Sequence, residues 1–132
     1  MADENPPFSL ISAGIEQLQQ SNPGQEGRVA PERLYSGRDV RIMHLVLDSE
    51  MTEHRAPSPI VVQVMEGHVR FDIEGQGHEL GAGGMVHVAA GIPHAVTPLG
   101  GPARILIHLL HPAHRGPGEY GREDPAGEPY RK

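Results

Sequence analysis

The sequence contains no cysteine, which excludes disulfides, thiolate metal ligands and a cysteine nucleophile, and removes any redox marker of compartment. Tryptophan is absent as well, and the aromatic side chains amount to three Tyr and two Phe. The single lysine is Lys132, so a buried Schiff-base lysine is excluded. Positive charge is scarce: 11 Lys and Arg face 17 Asp and Glu, a net charge of −6 with histidine neutral. A chain of that sign repels phosphate backbones and anionic lipid, so neither nucleic acid nor a membrane surface is an expected partner. No apolar run approaches the roughly 20 residues of a membrane span, and the start Met1-Ala2-Asp3-Glu4-Asn5 lacks the basic region of a signal peptide. The cytoplasm is the default location.

Glycine, proline and histidine are what the chain has in quantity. With 17 Gly and 13 Pro in 132 residues, turn-formers are too frequent for a helical bundle and suit short strands joined by tight turns. Nine histidines make this the one residue type with enough copies to carry chemistry.

Pro6-Pro7 closes an unstructured lead, after which Phe8, Ile11, Ile15 and Leu18 recur on one face of a short amphipathic helix. Ser21-Asn22-Pro23-Gly24 stops that helix. From about residue 28 to 110 the pattern is one of strands. Residues 40–47 are rich in β-formers, and residues 60–65 and 68–73 read as the arms of a hairpin around Glu66-Gly67. In the second arm Val69, Phe71 and Ile73 alternate with His68, Arg70 and Asp72, giving one buried and one polar face. Residues 85–88, 95–97 and 105–110 are the remaining strands, several of them apolar on both faces. Residues 112–132 combine Pro, Gly and charge without an apolar period and read as a disordered tail. The organisation expected is a lead and helix over 1–27, a barrel over 28–111 and a tail over 112–132.

Short strands, close turns and no crossover helices point to an all-β, antiparallel barrel or sandwich. Two stretches sharpen this. His54-Arg55-Ala56-Pro57-Ser58-Pro59-Ile60, continuing to Glu66-Gly67, resembles the first motif of the cupins, the small jelly-roll barrels. Gly83-Gly84-Met85-Val86-His87-Val88-Ala89-Ala90-Gly91-Ile92-Pro93-His94 resembles the second. The likeness spans residues 35–110 and extends to small bacterial cupins of unassigned function that carry a short N-terminal helix. It implies a jelly roll holding a divalent metal through two His and a Glu of the first motif and one His of the second. Here His54 and His94 match two of those positions, while Ala56 and Ile60 stand where the other His and the Glu belong.

Two neutral imidazoles without a carboxylate fall short of the three protein ligands of a catalytic zinc site, or of a facial triad for iron. The expected cofactor is therefore none, or a weakly bound Fe, Mn, Zn or Ni. His44, His87 or His108 would rebuild a three-histidine site if one of them pointed into the lumen, although a lone strand histidine more often bonds a carbonyl. Gln63 has the opposite parity to Ile60, Val62 and Val64 and is expected to face away. Glu53 and Arg55 are expected at a solvated rim, and Arg41, Arg70 and Arg104 in rim or interface roles. The leading reading is a small-molecule binder whose pocket is formed by His54, His94, Ile60 and Val62. The alternatives are a metal-dependent oxygenase or isomerase-type enzyme using His54, His94 and a compensating histidine, and a structural dimer module. Strands apolar on both faces make a homodimer the expected assembly.

Overall fold

The computed structural model describes residues 7–111, so the tail expected over 112–132 and most of the lead lie outside the described residues. Helix α1 (Ile15–Ser21) is shorter than the apolar spacing predicts. Gly14 has fully extended backbone, which ends the helix between Ile11 and Ile15 and leaves Phe8 and Leu10 outside it, each 78% exposed. Of the apolar face only Leu18 is buried.

Seven strands follow: β1 (Val29–Ser36), β2 (Val40–Leu47), β3 (Met51–His54), β4 (Ile60–Ile73), β5 (Gln76–Leu80), β6 (Met85–Val88) and β7 (His94–Leu110). Every pairing is antiparallel. The expected all-β jelly-roll class holds, but two of its elements differ from the sequence reading. Residues 60–73 form one strand instead of a hairpin, and the segments 95–97 and 105–110 belong to the single long strand β7. Glu66-Gly67 is a bulge, where the register against β7 shifts twice and Gly67 takes φ +80°. A Cβ on Gly67 would stand 2.7 Å from the Pro102 carbonyl oxygen, so the close approach of β4 and β7 also requires glycine. The true tight turn is Glu74-Gly75, with both φ values positive as a two-residue hairpin demands.

The bulge lets β4 and β7 serve two sheets. Their Ile60/Leu109 halves join β2, β1 and β6, while their Ile73/His94 halves join β3 and β5. Folding this long pair over on itself brings the inner faces together around Leu45, Leu47, Val62, Val64, Val69, Phe71, Val96 and Ile105. The connections 55–59 and 89–93 cross between the sheets at one mouth of the barrel. There they are tied together by Gly91 N–H to the Ala56 carbonyl (2.8 Å) and Arg55 Nη1 to the Gly91 carbonyl (3.2 Å).

Helix α1 lies against the outer face of the first sheet. A seven-residue helix is marginal alone, and here polar contacts hold it. Arg104 Nη1 donates to the carbonyls of Leu18 (3.2 Å) and Asn22 (2.7 Å), tying the C-terminal end of the helix to β7. Asn22 Nδ2 in turn donates to the Ala30 carbonyl at 2.8 Å.

Candidate functional site

His54 ends β3 and His94 begins β7, and the two are direct cross-strand partners. Their ring centroids are 4.3 Å apart in an edge-to-face arrangement. The other face of His94 stacks on Phe71 at 5.8 Å, with the rings within 8° of parallel. Alternation along β4 and β7 places Phe71, Val96 and His94 on the inner face, so the pair stands at the inside of the mouth.

Both rings are oriented by their own strands. His54 Nδ1 lies 2.8 Å from the Thr52 carbonyl oxygen and His94 Nδ1 lies 2.9 Å from that of Ile92. A carbonyl only accepts, so Nδ1 carries the proton in each ring, and in the neutral ring the lone pair is left on Nε2. His94 is 3% exposed. Burial pulls its pKa below the ordinary 6.5; the Ile92 carbonyl opposes this and the charge of His54 adds to it. The site is thus a pair of oriented imidazoles beside an aromatic face, and Ala56 and Ile92 pack against the same core.

Ile60 and Val62 face the interior and are buried in the packed core, 2% and 1% exposed. None of the three compensating histidines stands beside His54 and His94. His44 is fully buried, yet on the outer face under α1, where Nδ1 meets Glu32 Oε1 (2.9 Å) and Nε2 meets Arg104 Nη1 (3.0 Å). His108 and His87 both pair with Val61 and share that outer face; His87 is exposed, and His108 Nε2 approaches Gln63 Oε1 at 3.4 Å. The physical reason is parity: His44, His87 and His108 alternate with the inward residues Leu45, Val88 and Ile107. Gln63 faces outward, in line with its parity.

The donor set does not fit the metal that the jelly-roll motifs imply. Among the described residues no group of three His, Asp or Glu is arranged to hold an ion, and Ala56 and Ile60 offer no donor where two would be needed.

Arg104 departs furthest from its expected rim role. It is 7% exposed, and besides the carbonyls at the helix end it binds His44 and, through Nε, Glu66 Oε1 at 2.7 Å. The Arg104 hydrogen bond holds the Glu66 carboxyl below its ordinary value of 4.5 against opposing desolvation, with Gln19 assisting. Nothing in the local pattern of β7 distinguishes Arg104 from a solvated arginine, because its partners come from α1, the Asn22 that follows it, β2 and β4. Glu53 and Arg55 are exposed at the mouth, and Arg70 pairs with Asp72 at the surface.

The fold is an antiparallel jelly-roll barrel. The chain belongs to the AraC-like ligand-binding domain family, whose model matches residues 47–119, more than half of the chain. Among solved structures it is similar to a conserved protein of unknown function from Streptococcus pyogenes, at 22% identity and a TM-score of 0.67, over 81% of this chain and 98% of that one. It is also similar to a cupin superfamily protein from Desulfitobacterium hafniense, at 17% identity and a TM-score of 0.64, over 83% of this chain and 94% of that one. A DMSP lyase of Ruegeria pomeroyi matches at 19% identity and a TM-score of 0.61, over 67% of this chain and 50% of that one. At these identities the likeness defines the fold. No match is found among curated proteins. Among the described residues no helix is long and apolar enough to cross a membrane.

Proposed function

We propose that this protein binds a small organic molecule at the barrel mouth, held by His54 and His94 over the apolar floor of Ile60 and Val62. The observation that carries the reading is the imidazole pair itself: two cross-strand rings at 4.3 Å, each with Nδ1 committed to a carbonyl. Such a pair presents two Nε2 acceptors to a ligand hydroxyl or amine, while the half-buried Ala56 and Ile92 supply apolar surface beside them. Membership of a ligand-binding domain family points the same way. A metal-dependent oxygenase or isomerase-type activity has less support, because two imidazoles are one donor and one negative charge short.

The test is a thermal-shift screen of small molecules followed by NMR of histidine-labelled protein. Ligands that stabilise the fold are expected to move the imidazole signals of His54 and His94 together and to lose affinity in a His54→Ala/His94→Ala variant. Ligands that leave both signals in place, or bind the double variant unchanged, overturn the reading.

We also propose that the chain pairs as a homodimer through the outer face of the first sheet. Val40, Val61, Leu106 and Leu110 lie on that face, which carries no Asp, Glu, Lys or Arg beyond the area under α1. Two copies of a chain with net charge −6 meet there without like-charge repulsion.

A further inference from the structure

Arg41 is the one described residue with a buried side-chain polar atom that lacks a hydrogen-bond partner, its Nε. It belongs to no ion pair among the described residues, and nearby Asp39 has an interaction of its own. Its position in the sheet gives it a direction. In β2, Arg41 alternates with the outward Val40 and Ile42 and shares the inward parity of Met43, Leu45 and Leu47. Its partner on β7 is Leu109, whose partner on β4 is Ile60, whose partner on β6 is Val88. This inner row lies at the end of the first sheet from which both mouth connections depart, toward His54 and His94 on the second sheet.

A buried N–H without a partner costs about 1–3 kcal/mol, and none of the described residues supplies one to the Arg41 Nε. A guanidinium offers Nε and one Nη as a fork that matches a carboxylate. We propose that Arg41 is the anion-binding half of the mouth site, and that the ligand is an apolar-bodied hydroxycarboxylic acid. Its carboxylate pairs with Arg41, its body lies over the half-buried Ala56 and Ile92 at the mouth, and its hydroxyl donates to Nε2 of His54 or His94. One guanidinium neutralises one charge, so a monoanionic carboxylate suits these apolar walls better than a dianionic phosphate. The proposal rests on the mouth being the binding site and adds the ligand's class.

The experiment titrates histidine-labelled protein with linear ω-hydroxycarboxylic acids of increasing chain length, their primary amides and the corresponding alkyl phosphates, and reads the His54 and His94 signals. At the best length the acid is expected to bind at least about tenfold more tightly than its amide, a gap that shrinks to about twofold or less in Arg41→Gln. Arg41→Lys, which keeps the charge without the fork, should fall between them. Arg41→Gln should also melt no lower than the parent, because it removes an unsatisfied group; a clear loss of stability would mark a structural arginine and overturn the proposal. Equal affinity for acid and amide, tighter binding of the phosphate, or an acid preference that survives Arg41→Gln overturns the carboxylate assignment. If the amides still move His54 and His94, the mouth reading stands without it. If no compound moves either signal, both fail.

Discussion

His94 and Arg104 illustrate two different fates of a buried polar side chain. His94 is kept in an apolar setting that favours the neutral ring, so its pKa is lowered from 6.5, and His108 is lowered by burial too. The unfolded chain therefore binds more protons than the folded one in the interval below 6.5. Stability is complete above that value, declines as the pH falls through it toward the native pKa values, and levels off beneath them. Urea unfolding at a series of pH values should show this decline, with NMR titration placing both imidazoles below 6.5; values above 6.5 would contradict it. Glu66 adds a second, more acidic interval, since its lowered pKa makes its contribution disappear as the pH drops through 4.5 and below. Arg104 is buried as a charge and answered by Glu66, His44 and two carbonyls. Replacing it with alanine leaves the buried His44 Nε2 and the Asn22 carbonyl without this donor while the 40% exposed Glu66 regains water, and Arg104→Ala should cost about 1–3 kcal/mol in chemical denaturation. A loss under 1 kcal/mol, the scale of a surface pair, would mean that water replaces it freely.

The longest strands, β4 and β7, carry the difference between what the residues foretold and what forms. Their composition announced strands and their order announced the jelly roll. The motifs also singled out His54 and His94, which the fold makes cross-strand partners. What misled was Glu66-Gly67, because a glycine with positive φ serves a two-residue turn and a bulge equally well. The inward residues change from even numbers (Ile60, Val62, Val64) to odd ones (Val69, Phe71, Ile73) across it, as one extra residue requires if the same face is to stay buried. Only the pairing with β7 tells the two apart, and pairing is a long-range property that local pattern does not hold. The direction faced by His44, His87 and His108 was hidden because these strands are apolar at both parities, so alternation alone does not say which face is inward, and the burial of Arg104 depends on the helix that covers its strand. Gly67→Ala and Gly75→Ala separate the two roles. Both positions have φ near +80°, but a Cβ meets backbone at Gly67 and nothing within 4 Å at Gly75. The turn variant should lose about 1–2 kcal/mol from backbone strain alone, and the bulge variant distinctly more, as measured by thermal unfolding. Equal losses would show that β4 and β7 part easily at this point.

The outer face, which no described residue beyond α1 covers, and the exposed Phe8 and Leu10 belong to the molecule as it meets others. Light scattering at micromolar concentration should return a mass near twice 14.3 kDa, and Leu106→Glu, which puts like charges on both copies of the proposed interface, should return a monomer. A parent mass near 14.3 kDa would refute the pairing. Within one copy, the two walls of the mouth are opposite ends of the same pair of strands, creased at Glu66-Gly67 and Gly100-Gly101. The barrel is in this respect a pair of tongs: the gap between the tips is set at the crease. Arg104, its Glu66 partner and the helix they hold are clamped onto that crease, at the end of the molecule away from the tips.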